Sequence, residues 1–191
     1  MRILGVDPGS RLTGYGCIEV RGNSLHHITH GTFKLLKSTS TPTPLPERLK
    51  TLFDHLQAVV SGFKPDVIAV ERVFLGKNAS SALKLGHARG VVVLASALFD
   101  IKFFEYSPTE IKRAVTGQGR ADKEQVARMT RLLVNGFRGK FETEDASDAL
   151  AVAVCHAQMS QNRFLAELSG SGTERGIRKK SRLADLVRGP R

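Results

Sequence analysis

Four carboxylates in this chain could make one hydrolytic centre: Asp7, Glu71, Asp145 and Asp148. Asp7 closes the short apolar run Ile3-Leu4-Gly5-Val6 just before Pro8 and Gly9, and Glu71 closes a second run, Val67-Ile68-Ala69-Val70. Such short runs read as buried strands whose last side chain emerges at the sheet edge, where open α/β sheets bind ligands. Asp145 and Asp148 stand three apart at the start of a helical pattern, so both project from one face of its first turn. Each has an ordinary explanation when taken singly, because Asp-Pro-Gly is a common turn and acids at a helix start complement its dipole. Gathered in one place, four carboxylates without Lys or Arg partners of their own repel unless divalent cations lie between them. Hard oxygen ligands select Mg²⁺, with Mn²⁺ as a substitute. Two such ions can activate water and stabilise the leaving oxygen of a phosphodiester.

The elements that must position these acids follow from the apolar pattern. Leu12 to Val20, the turn Arg21-Gly22-Asn23 and Leu25 to Leu36 read as a hairpin, so three strands open the chain as an antiparallel meander. Residues 38–46 are rich in Ser, Thr and Pro and read as an extended loop. Leu45, Leu49, Leu52, Phe53, Leu56, Val60 and Phe63 recur at helical spacing until Gly62 and Pro65 end the helix, and Asp66 to Glu71 forms a fourth strand. Asn78 caps a helix to about Phe99, with Ala82, Gly86 and Gly90 along one face that suits either the sheet or a second subunit. Ile101 to Tyr106 is the fifth strand, followed by a capping box at Ser107-Pro108-Thr109-Glu110. Asp122 and Gln125 cap the next helix, which Asn135-Gly136 stops. The last helix runs from near Thr143 to about Ser160, and its small residues Ala149, Ala153 and Ala157 require a close neighbour. The expected fold is α/β: a five-stranded mixed sheet, three antiparallel strands then two parallel, flanked by helices. A closing helix can then aim Asp145 and Asp148 at Asp7 and Glu71.

Composition narrows the chemistry. The chain has 191 residues, enough for one domain and a tail, and a formal charge of +11 from 29 Lys and Arg against 18 Asp and Glu. That excess favours a polyanionic partner. Acids in the site and bases around it together point to a nuclease. Residues 1–162 read as the nuclease domain and 163–191 as a basic, disordered tail, either a nucleic-acid arm or a solubilising end. Cys17 and Cys155 lie in apolar segments and read as inert, reduced packing residues. His26, His27 and His30 lack zinc-ligand spacing and read as solvent-facing strand residues. With neither a membrane-spanning run nor a signal peptide in view, the expected location is the cytoplasm.

Several blocks carry a resemblance: Ile3-Leu4-Gly5-Val6-Asp7-Pro8-Gly9, Val70-Glu71-Arg72-Val73-Phe74, Lys77-Asn78-Ala79, Ser81-Ala82-Leu83-Lys84-Leu85-Gly86, Ala88-Arg89-Gly90 and Asp145-Ala146-Ser147-Asp148-Ala149-Leu150. In order and spacing the chain resembles the bacterial Holliday-junction resolvases of the RuvC type, within the ribonuclease H-like nuclease superfamily. The resemblance implies Asp7, Glu71, Asp145 and Asp148 as ligands of two Mg²⁺ ions and Lys112 and Lys123 as catalytic bases in the sense of charge, near the scissile phosphate. It implies Phe74 as an aromatic that stacks on a junction base, with Arg72, Lys77, Asn78, Lys84, Arg89, Lys112 and Lys123 contacting DNA. It further implies a homodimer that nicks two strands of a four-way junction symmetrically, beside a branch-migration helicase complex of the RuvA and RuvB type. Arg72 and His87 depart from the family pattern, and neither touches the four acids. Two rival readings remain: an actin-like or sugar-kinase-type ATPase with its phosphate loop at Asp7 to Gly9 and Gly14 and Gly16 beyond, and a noncatalytic DNA-binding module.

Overall fold

A computed structural model describes residues 1–36, 43–72 and 79–168. Phe74, Lys77, Asn78, most of the Ser/Thr/Pro-rich loop and residues 169–191 lie outside the described residues. In chain order the elements are β1 (Arg2–Asp7), β2 (Leu12–Arg21), β3 (Ser24–Lys34), α1 (Leu45–Phe63), β4 (Val67–Glu71) and α2 (Ala79–Leu98). They continue with β5 (Lys102–Tyr106), α3 (Pro108–Thr116), α4 (Lys123–Leu133), β6 (Val134–Asn135) and α5 (Glu144–Leu168).

One mixed sheet runs in the order β5-β4-β1-β2-β3-β6. The meander β1-β2-β3 is antiparallel, while β4 and β5 add in parallel beside β1. The sheet therefore has six described strands where five were expected. The sixth is Val134–Asn135, read above as a helix stop; two residues are too few to carry a strand period, yet they pair in parallel with Leu25 and His26. Helix α1 also runs through Gly62 and ends at Phe63, and the next residue, Lys64, takes a left-handed conformation and donates its N–H to the Val60 carbonyl.

Strand alternation divides the core in two. Ile3, Ile18 and Ala69 face α5, whose Leu150 and Val154 complete that layer, whereas Leu4, Val6, Ile68 and Val70 face Leu52, Leu56 and Val92 of α1 and α2. The close neighbour of α5 is the sheet backbone itself. A methyl on Gly5 would lie 2.1 Å from the Ala149 carbonyl oxygen, and one on Gly14 would lie 1.9 Å from that of Asp145. Side chains absent from β1 and β2 thus let the helix sink onto the strands. The helix continues beyond Ser160 to Leu168, past the boundary placed at residue 162.

Two surface readings change. On α2, Gly86 and Gly90 point away from the sheet, since a methyl on either meets nothing within 4 Å. The three histidines of β3 are partly buried rather than solvent-facing.

Candidate active site

Asp7 and Glu71 arrive together because β1 and β4 are parallel and in register: Val6 pairs with Val70, and each acid is the next residue. Both acids share the face of Ile3 and Ala69, the side on which α5 lies. The start of α5 is set over the same edge. Gly14, the β2 partner of Asp7, supports the Asp145 carbonyl, and the Thr143 hydroxyl caps the helix by accepting from the Ala146 N–H at 3.2 Å. Thr143 is in turn hydrogen-bonded to Thr32 of β3. Asp145 and Asp148 therefore reach the edge from above.

The turn after Asp7 is held from within. Buried Thr13 accepts from the Gly9 N–H at 3.2 Å and donates to the Gly9 carbonyl at 3.1 Å, while Arg48 of α1 donates to the Ser10 carbonyl at 3.0 Å. A methyl on Gly9 would sit 1.9 Å from the Leu12 carbonyl oxygen. This glycine lets the turn close on itself.

Electrostatics follow from crowding. Burial, and then the nearby Glu71, Asp148 and Asp145, push the Asp7 carboxyl up to about 7, against the opposing pull of Lys123. Glu71 is raised by burial and by Asp148, with Lys123 and Lys112 lowering it. Burial also raises Asp148, against Lys123, while Glu144 and Asp145 add to the rise. Lys123 bridges two acids, with Nζ 3.1 Å from Glu144 and 3.4 Å from Asp148. It is held protonated by both. Glu71, Lys112, Lys123 and Asp148 line a cavity of about 220 Å³ floored by Ile111 and Val126.

Glu144 was missed. Its spacing from Asp148, four residues on a helix, was the available signal, because such pairs share a face.

Among the described residues, no three His, Cys, Asp or Glu side chains are gathered closely enough to hold a metal ion already. The donor set nonetheless suits one: hard carboxylate oxygens, two of them raised chiefly by burial and then by neighbouring acids, which Lys123 and Lys112 offset only in part. The fit is one of charge and donor type.

Of the remaining expected DNA contacts, two side chains are exposed and one is paired. Arg72 is exposed beside Glu71, with its N–H donated to the Tyr106 carbonyl at 2.8 Å, and Lys84 is exposed on α2. Arg89 is committed elsewhere, its Nε donating to Glu105 of β5 at 2.7 Å.

Across residues 3–156 the chain matches the family model described as crossover junction endodeoxyribonuclease RuvC. The chain belongs to the RuvC family. The RuvC of Syntrophotalea carbinolica is 53% identical over 157 residues, which is 82% of this chain and 94% of that one. The RuvC of Idiomarina loihiensis is 47% identical over 174 residues, 91% of this chain and 97% of its own. Among solved structures, Thermus thermophilus RuvC in complex with a Holliday junction superposes with a TM-score of 0.78 at 30% identity, covering 85% of this chain and 96% of that one. The yeast mitochondrial Holliday junction resolvase Ydc2 shares the fold, with a TM-score of 0.62 at 16% identity over 87% of this chain and 83% of its own. The ribonuclease H-like fold is the one expected, with RuvC topology and one strand more than counted. In this RuvC chain Gly14 and Gly16 are covered by α5, at Asp145 and Leu150 respectively.

Proposed function

We propose that the protein resolves four-way (Holliday) DNA junctions by symmetric paired nicking. The observation that carries this reading is Asp7, partly buried at the end of the interior strand β1 and pushed up to about 7 by desolvation and by three further acids. Asp7, Glu71, Asp145 and Asp148 would hold two Mg²⁺ ions, or Mn²⁺ in their place. When bound, such a pair supplies water activation and stabilises the leaving oxygen of the phosphodiester, leaving 5′-phosphate and 3′-hydroxyl ends that can be ligated. The protein's own groups do the rest. The acids would hold the cations that position the reacting phosphate, Lys112 and Lys123 add positive charge where charge builds in the transition state, and the basic surface draws the backbone in. Arg72 and Lys84 meet that backbone, and Arg89 joins them where it can exchange Glu105 for phosphate. Lys77 and Asn78 extend the contact, and Phe74 stacks on a junction base.

A junction has two-fold symmetry, so paired nicks require two copies of the site related the same way. The outward face of α2 suits a second copy: Leu83, Leu94 and Leu98 are more than half exposed, beside Gly86 and Gly90 with no neighbours. The activity belongs to homologous recombination and DNA repair in the cytoplasm, beside a branch-migration helicase complex of the RuvA and RuvB type. No helix among the described residues is long and apolar enough to cross a membrane.

The test compares a synthetic four-way junction with linear duplex of the same sequence in Mg²⁺. Cutting confined to the junction, with products that ligate directly, supports the reading. Equal cutting of both substrates, or none of the junction, overturns it.

A further inference from the structure

Residues three apart on an unbroken strand face opposite sides of a sheet. His27 and His30 do not. In β3 the register with β2 shifts, Thr29 pairing with Cys17 but His27 with Ile18, so Ile28 is the extra residue of a bulge. The bulge restores parity and puts both imidazoles on the α5 side, where His27 Nε2 and His30 Nδ1 are hydrogen-bonded at 2.8 Å. The segment after β6 is laid over this pair. Phe137 stacks on His30 with ring centres 5.0 Å apart and meets His27 edge-on at 5.1 Å, and Phe141 packs edge-on against His30 and tilted against Phe137. Two residues beyond Phe141 comes Thr143, the cap of α5 and the partner of Thr32.

We propose that His27 and His30 are positioning residues for Asp145 and Asp148, acting as a latch that holds the Phe137–Thr143 segment and through it the first turn of α5. The proposal rests on the reading of those acids as part of the nuclease site. The latch needs one imidazole to accept and the other to donate, so it closes only while at least one ring is neutral. Burial lowers both rings from the ordinary 6.5, with His30 acting on His27 and Glu142 opposing at His30. Among the described residues the elements packed on the pair are otherwise uncharged or turned outward: its β2 partners are Ile18 and Gly16, β6 brings Asn135, the α5 face above is apolar from Ala149 to Val154, and Arg138 and Lys140 of the covering segment are exposed. The unfolded chain therefore takes up protons first as pH falls, and the latch is lost toward acid.

The test reads the latch without catalysis, by amide hydrogen exchange at Ala146, whose N–H is held by Thr143. In the full chain, His30→Ala should raise exchange there by about tenfold and leave Leu150 to Val154 protected, while junction cutting falls by about 5–20-fold in kcat with affinity within about twofold. His30→Gln, which still offers His27 a partner, should recover most of both. Wild-type exchange at Ala146, corrected for intrinsic rate, should rise as pH falls below the ordinary imidazole value of 6.5, and that of His30→Gln should stay level. Unchanged exchange at Ala146 in His30→Ala, or the same acid response in His30→Gln, overturns the latch. If the wild type cuts no junction at all, the nuclease reading falls while the exchange comparison still decides the latch.

Discussion

At the scale of single residues, Asp7 shows that the site is unfavourable without counter-charge. Its carboxyl holds a proton at about 7 when folded, against an ordinary value of 3.8. Between those values the folded chain binds a proton that the unfolded chain has released, so stability falls as pH rises through this window and the full cost is felt above it. In chelator at pH 8, Asp7→Asn should therefore melt about 4–8 °C above wild type, for a relief of about 2 kcal/mol, and the difference should vanish near pH 4. Thermal melts with the variant at or below wild type would show that the carboxylate is structural. Lys123 makes the opposite case. Its side chain is 66% exposed, so Lys123→Met should leave the melting temperature nearly unchanged, yet remove the cation nearest Asp148 and slow cutting by about 10–100-fold. Full activity in that variant would take Lys123 out of the reaction. The acids were legible as candidates because each ends an apolar run or opens a helix; Glu144 offered only its spacing from Asp148, since its contact with Lys123 of α4 is not encoded in any local pattern.

At the scale of elements, the decisive fit is α5 against β1 and β2. Gly14 lies under Asp145 and next to Asp7, so one methyl there must lift the helix that carries two of the four acids. Gly14→Ala should cost about 2–3 kcal/mol and reduce cutting at least about a hundredfold, and Gly86→Ala on the open face of α2 should be neutral or slightly stabilising to the fold. Denaturant melts and rates for the two variants compare directly, and equal effects would refute the close-packing account. The need of α5 for a close neighbour was readable from its alanines, and the glycines of β1 and β2 were visible too. Their pairing depended on sheet register, which single-strand patterns do not contain. The bulge at Ile28 is the same kind of information: one unpaired residue reverses the side on which His30 lies, and no periodicity in β3 announces it.

At the scale of the whole molecule, the order of three antiparallel strands and two parallel ones was readable, because strand and helix periods alternate clearly along the chain. The two-residue β6 was not, being shorter than either period. The outward face of α2 should pair two chains, so sedimentation should find a dimer, and Leu94→Glu should yield monomers that nick junction strands one at a time. Monomeric wild type that still makes paired nicks would contradict this. The central claim is that junctions are cut at the four-carboxylate edge. It is tested most directly by Asp7→Asn with a labelled four-way junction in Mg²⁺, measuring binding and cutting in the same samples. The variant should bind the junction as wild type does and cut it not at all; metal-dependent cutting that persists in it would contradict the account.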